Sequence, residues 1–307
     1  MLDKLLQPRF PSCAVGLKTG TASVVQLDRS RGAFVVKRAA TLNLQANVLR
    51  SSFDESNVLD PDGLIEALTD LATSAGLLRQ RKWSATLPEA SARTAIVTIE
   101  AAGGSRREIE EVLEWKIERT FGAPVNELRI GREELSPNEQ KQTRYIITAV
   151  RLSVLAEYES AFASVGWQTG LLVPRHIGEQ QWLRDGVAGD GLLLSAHEDG
   201  FTAVLLRNNR PLTLRTVFCE TEECDDELHR LLLFYRDRSG QNGDASSVNR
   251  LLVMGELLDK QRVVEIAQET LGVRLRPLGA NDVGLTIPGD LPFDLIAAPA
   301  GLARLAW

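Results

Sequence analysis

Residues 14–27 read AVGLKTGTASVVQL, and how this stretch is parsed decides the fold. Val15 and Leu17 are apolar, Lys18 to Ser23 are small or polar, and Val24, Val25 and Leu27 resume the apolar pattern. The spacing predicts two strands joined by a tight turn around Thr19, Gly20 and Thr21. Gly20 is free to take a positive φ and to let a ligand or a backbone come close. The backbone N–H groups and hydroxyls of Lys18, Thr19, Gly20, Thr21 and Ser23 then form a candidate cradle for an anion, as hairpin turns do in phosphate-binding folds. An ordinary β-hairpin without ligand is the structural alternative.

The same plan recurs downstream. Residues 191–218, GLLLSAHEDGFTAVLLRNNRPLTLRTVF, read as a strand over Leu192 to Leu194, a turn over Ser195 to Gly200, and a strand over Phe201 to Leu206. A turn at Asn208-Asn209 and a third strand over Pro211 to Val217 follow. The first copy also runs on, through Asp28 to Gly32, into Phe34-Val35-Val36. A meander repeated across half the chain predicts two related lobes with a cleft between their first turns.

A chain of 307 residues has room for two lobes with their own cores. The net charge is −6 with Lys and Arg scattered, which argues against a nucleic-acid partner needing a basic face. Cys13, Cys219 and Cys224 have no metal-ligand spacing, and their odd number and low density imply free buried thiols in a reducing compartment. His176, His197 and His229 are far apart and form no local metal motif. No apolar run approaches the ~18 residues of a membrane span. The start, MLDKLLQPRFPSC, lacks the apolar core of a signal peptide, so the expected location is the cytoplasm, with no direct membrane insertion.

Between the two meanders the helix signals are sharper than the strand signals. Asp60-Pro61 supplies an N-cap and a first-turn proline for an amphipathic helix that ends at Gly76. Trp83 to Leu87 and Ala95 to Ile99 read as strands. Gly103-Gly104 is a joint, and Ser105 with Glu108 is a capping box for a helix with an acidic outer stripe. Strands over Glu127 to Leu135 and Arg144 to Val150 complete a small α/β insertion at 88–150. A helix from Ser153 to Gly166, a strand over Thr169 to Val173 and a short helix carrying Ile177 and Trp182 lead to the second meander. After it comes a helix over Glu220 to Arg238 with an acid-crowded first turn, a polar loop over Ser239 to Asn249, and a strand entering a helix through Gly255 and Glu256. That helix stops at Gly272. A last, Ala-rich helix over 293–305 reads as interrupted at Pro299 and Gly301.

This order of parts resembles the actin-like ATPase superfamily and, within it, the PilM family of type IV pilus assembly proteins. Val15 to Leu27 is similar to the family's first phosphate loop. Asp60 to Leu77 and Ala85 to Glu100 are similar to its helix and the strand segment after it. Arg107 to Leu135 resembles its Trp-centred acidic helix, and Ala298 to Leu305 its terminal helix. The resemblance spans nearly the whole chain. It implies an α/β, actin-like (ribonuclease H-like, duplicated) two-lobed fold. The first lobe would be 1–188, with the inserted subdomain at about 88–150. The second would be 189–307, its last helix packing back on the first lobe.

The departures bear on chemistry. The family's first-loop Asp falls at Lys18, which would repel Mg²⁺, and the Lys that usually ends the loop falls at Val25. The second phosphate loop reads Leu194-Ser195-Ala196-His197, so its acid and glycine are gone. The second lobe's downstream Gly-Gly is replaced near Phe218 to Thr221. The adenosine-side pair keeps only Gly255. Metal-dependent phosphoryl transfer needs acidic ligands as well as phosphate donors. Lys18, Thr19, Gly20, Thr21, Ser23, Ser195, His197 and Gly255 are therefore read as a degenerate nucleotide cleft, with no catalytic residue, no metal site and no cofactor expected; ATP binding without Mg²⁺ stays open.

The resemblance implies a cytoplasmic scaffold of a pilus or related secretion platform. Its partners would be the N-terminal peptide of a PilN-like bitopic inner-membrane protein and other platform or motor proteins. Two alternatives use the cleft. One is an active ATPase or small-molecule kinase with Asp199 substituting for the lost acid, and the other a metal-free sensor in which Lys18 supplies the charge. A GspL-like type II secretion component is a further alternative. It usually continues into a transmembrane helix, whereas this chain ends at Trp307.

Overall fold

The structure is a computed structural model and describes residues 10–30, 32–100, 105–138, 140–184, 189–241 and 248–307. Chain order runs β1 (Cys13–Leu17), β2 (Thr21–Ser30), β3 (Ala33–Asn43), α1 (Pro61–Ser74), β4 (Lys82–Leu87), β5 (Arg93–Ile99), α2 (Arg106–Phe121), β6 (Leu128–Leu135), β7 (Thr143–Arg151), α3 (Leu152–Ser164), β8 (Gln168–Pro174) and α4 (Arg175–Glu179). It continues with β9 (Asp190–His197), β10 (Gly200–Arg207), β11 (Arg210–Phe218), α5 (Cys224–Gln241), β12 (Val248–Met254), α6 (Lys260–Leu271), β13 (Leu285–Thr286) and α7 (Phe293–Ala303).

Two compact units result, one of Met1–Ser91, Ser153–Gln181 and Ala280–Trp307, the other of Ala92–Leu152 and Trp182–Gly279. The first is a six-stranded sheet ordered β13-β3-β2-β1-β4-β8. The β1–β2 and β2–β3 pairs are antiparallel, while β4 runs parallel to both β1 and β8. The parallel step from β1 to β4 needs a crossover, and α1 supplies it. All five residues of β1 are buried, as a strand covered on both faces requires. Asp60 accepts from the N–H of Gly63 with Pro61 behind it, and Gly76 closes the far end at φ 66°, as the sequence signals imply. Trp83 stacks on Trp167 at 4.2 Å in the core of this unit.

The second unit holds a four-stranded sheet, β11-β10-β9-β12, and a three-stranded antiparallel sheet, β5-β7-β6. The hairpin β10–β11 turns at Asn208 and Asn209 with φ of 51° and 64°, the left-handed pair that matches strand twist. The Ser105–Glu108 capping box forms at the start of α2. Arg207 grips Asp190 with Nε at 3.1 Å and Nη2 at 2.8 Å, and the Tyr235 hydroxyl donates to the same carboxylate at 2.9 Å. That carboxylate pushes the Arg207 guanidinium further toward its charged form.

The division differs from the sequence-based one. The segment Ala92–Leu152 groups with Trp182–Gly279 rather than with the first meander. One link is explicit: Arg144 Nη2 donates to the carbonyl of Leu212, after the Asn-Asn turn, at 2.6 Å. The polar stretch after β3 is an ordered loop, because Asn57 Nδ2 donates to the carbonyls of Ser52 and Glu55 at 2.6 and 2.8 Å. Among the described residues no helix is long and apolar enough to cross a membrane.

Candidate functional site

The first hairpin is tied to the last helix. Helix α7 is continuous through Pro299 and Gly301, and every residue from Ile296 to Ala303 is buried. The expected interruption is absent, and the geometry gives the reason. A proline at position 299 has no N–H for the carbonyl four residues back, that of Leu295. Ser23 replaces it: its Oγ donates to Leu295 O at 2.9 Å. Lys18 Nζ donates to the carbonyl of Asp294, in the first turn of the same helix, at 3.2 Å. The helix also sits very close to the sheet. A Cβ added to Gly16 would fall 2.9 Å from the Pro299 ring and 2.9 Å from Ser23 Oγ, and one added to Gly178 on α4 would fall 2.2 Å from Ala298 O. Sequence reading put the critical glycine at position 20; the structure puts it at Gly16 and Gly178, where a helix rather than a ligand makes the close approach.

Gly20 is exposed, is absent from the positive-φ positions, and would meet nothing within 4 Å if it carried a Cβ. Its carbonyl accepts the Leu44 N–H at 2.9 Å, and the Lys18 N–H closes the hairpin on Thr21 O at 2.8 Å. Thr19 and Thr21 are half-buried. Of the five first-loop candidates, Lys18 and Ser23 therefore have packing duties, while Thr19, Gly20 and Thr21 stand at the loop.

In the second unit, Ser195 lies within β9, not in a turn. It is fully buried, pairs with Thr202 across the sheet, and its Oγ has no hydrogen-bond partner among the described residues. The strand runs on because Ala196 and His197 keep pairing with Phe201 and Gly200, which leaves only Glu198 and Asp199 for the turn. His197 ends the strand with its ring edge-on to Phe218 at 6.1 Å. Gly200 and Gly255 have φ of 136° and 88°, and added Cβ atoms would fall 2.1 Å from Val217 O and 2.8 Å from Ala196 O. Gly255 thus lets the chain turn over the end of β9, a steric duty independent of any ribose. Helix α6 begins only at Lys260, capped by Asp259, so Gly255 does not open it directly.

Cys219 and Cys224 form a disulfide, which corrects the expectation of free thiols. A 3-10 turn over Thr221–Glu223 folds the chain back so that the two Cα atoms lie 5.7 Å apart, inside the range a bridge requires. Cys13 is the free one, and burial raises its thiol to about 11. The acids that follow serve the start of α5: Glu227 pairs with Arg230 and Asp225 with Arg262. Ser239 to Gln241, expected in the loop, belong to α5, and 242–247 lie outside the described residues. Among the described residues no three His, Cys, Asp or Glu side chains converge as a metal site would need.

Sequence reading missed the charged groups buried in the first unit. His176 Nδ1 meets Glu89, Arg175 pairs with Glu179 at 2.7 Å, and all four are buried. Glu89 sits 87 positions from His176, so no local pattern could have joined them.

Neither a protein-family model nor a curated protein sequence matches the chain. Solved structures do. A PilM–PilN type IV pilus biogenesis complex matches with a TM-score of 0.76 at 18% identity, over 97% of this chain and 99% of that one. The cytoplasmic domain of EpsL, an inner-membrane component of the Vibrio cholerae type II secretion system, matches at 0.49 and 12% identity over 96% and 93%. The ethanolamine utilization protein EutJ of Carboxydothermus hydrogenoformans matches at 0.46 and 11% over 98% and 91%. The first likeness shows the fold: the described residues have the PilM-type, actin-like α/β fold.

Proposed function

We propose that the chain is an assembly scaffold of a type IV pilus or related secretion platform, working at the inner membrane through a bitopic partner. The observation that carries this reading is the fold likeness, over 97% of this chain, to a PilM–PilN type IV pilus biogenesis complex. The proposed ligand is the N-terminal cytoplasmic peptide of a PilN-like protein, taken up as an extended segment whose main chain supplies affinity and whose side chains supply selectivity. ATP turnover is not part of the proposal. Lys18 stands where the family's acid would be, and both Lys18 and Ser23 hold α7. Ser195 is sealed inside a strand. The remaining loop groups, Thr19, Gly20 and Thr21, offer donors to a phosphate but no carboxylate to a metal.

The test is a calorimetric titration of the purified chain with the synthetic N-terminal peptide of the PilN-like protein from the same organism. Saturable one-to-one binding, abolished by scrambling the peptide, supports the scaffold. A folded chain that gives no heat with the peptide and fails to retain the full-length partner in detergent overturns it.

A further inference from the structure

The connection from α1 and the first residue of β4 read Gly76-Leu77-Leu78-Arg79-Gln80-Arg81-Lys82, and the sequence has no carboxylate between Asp70 and Glu89. Leu78 is 57% exposed. Arg79, Arg81 and Lys82 are exposed around it, and Arg38 joins them from β3 by donating to the carbonyl of Gly76 at 2.5 Å. Arg81 donates to the carbonyl of Gly166 at 3.4 Å. These two carbonyls lie at the C-terminal ends of α1 and α3, where cations are favoured, so Arg38 and Arg81 have a structural use. Each uses one of five guanidinium donors, and the charge stays at the surface. Among the described residues Arg79 and Lys82 have no side-chain hydrogen bond of this kind.

The cluster gathers Arg38 with three cations on a segment that carries no acid of its own. Among the described residues none of the four cations is in an ion pair. Within the same described residues some exposed arginines elsewhere are paired, Arg50 with Glu55, Arg107 with Glu111, Arg132 with Glu110 and Arg262 with Asp225, while single ones such as Arg129 and Arg274 are not; here four unpaired cations stand together. In a chain of net charge −6, four unpaired cations around a projecting leucine form a local field opposite to the whole. The cluster is also remote from the first hairpin. Strands β1 and β4 run parallel with Gly16 beside Thr86, so Lys82 marks one end of the sheet and Lys18 the other, on the order of 20 Å away along the strands.

We propose that this end of the first unit is a contact surface for anionic lipid headgroups. Leu78 enters the interfacial layer while Arg38, Arg79, Arg81 and Lys82 stay with the phosphates, the arrangement that long cationic stems and a single apolar anchor favour. The contact does not depend on the partner peptide; it would orient the scaffold on the bilayer that the partner crosses.

The test is co-sedimentation of the full chain, without partner, with vesicles of phosphatidylethanolamine and phosphatidylglycerol, against vesicles of phosphatidylcholine alone. The expected result is binding to the anionic vesicles at low salt, none to the neutral ones, and release at high salt. The double variant Arg79→Glu, Lys82→Glu removes no side-chain hydrogen bond among the described residues and should bind at least about 25-fold more weakly, about fivefold for each charge. Leu78→Asp should weaken binding as well. Lys260→Glu with Arg274→Glu makes the same change in net charge on another basic surface and should leave binding unchanged. Failure of the parent chain to sediment with anionic vesicles overturns the proposal. So does an equal loss in both double variants, which would make the effect one of net charge.

Discussion

The hairpin β1–β2 of the first unit and the hairpin β9–β10 of the second follow one plan and are put to different uses. In the first, a three-residue loop is exposed at Gly20, and Lys18 at its start and Ser23 just behind it hold a helix. In the second, the strands run on until two residues remain for the turn, and the serine at the corresponding place is sealed in the sheet. The first hairpin is fastened by hydrogen bonds to α7; the second leads into a segment stapled by the Cys219–Cys224 bridge. The contrast teaches that small and polar residues in a motif-like stretch are ambiguous. The same Ser and Gly types that cradle a phosphate also let a helix come close to a sheet, and here the second use is visible atom by atom.

The sharpest way to break the comparison is to refuse the helix its close approach. Gly178→Ala puts a methyl 2.2 Å from the Ala298 carbonyl, and should cost about 3 kcal/mol, the upper end for overpacking. Denaturant unfolding would show this as a lower midpoint at unchanged slope; a variant as stable as the parent would mean α7 does not pack as described. Reducing the disulfide should act only on the second unit and cost about 2 kcal/mol, as expected for so short a closed loop. Thermal melts with and without dithiothreitol measure it, and Cys219→Ser with Cys224→Ser should melt like the reduced parent.

A finer test couples Ser23 to Pro299. Ser23→Ala strands the Leu295 carbonyl and should cost about 1 kcal/mol. In a Pro299→Ala background the backbone gains an N–H that bonds that carbonyl within the helix, so the same change should become nearly neutral; additive costs in the cycle would contradict the assigned role. Smallest of all should be Gly20→Ala. With open space around it and no left-handed backbone, it should shift stability by less than about 0.5 kcal/mol, with the sign toward stabilisation.

Much of this architecture is legible in the sequence because local rules are obeyed where the elements start and stop. Asp60-Pro61, the Ser105–Glu108 box, Asn208-Asn209 and Gly272 each act within a few residues, and each sits where its chemistry places it. What escaped depended on distant partners. Pro299 reads as a break until Ser23, 276 positions earlier in the chain, is seen to satisfy the freed carbonyl of Leu295. Ser195 reads as a turn residue until β10 and β12 are seen to pair on both its sides. The segment Ala92–Leu152 reads as part of the first lobe by order alone, whereas Arg144 ties it to Leu212. The Cys219–Cys224 spacing matches no metal motif, and only the intervening 3-10 turn brings the sulfurs together.

The functional account turns on whether the first hairpin serves a helix rather than a metal-bound nucleotide. Calorimetric titration of ATP into the purified chain, with and without Mg²⁺, addresses this directly. The account predicts no binding that depends on Mg²⁺ and no release of phosphate on incubation. Tight binding that requires Mg²⁺, weakened by Thr21→Ala, would contradict it and favour the ATPase alternative.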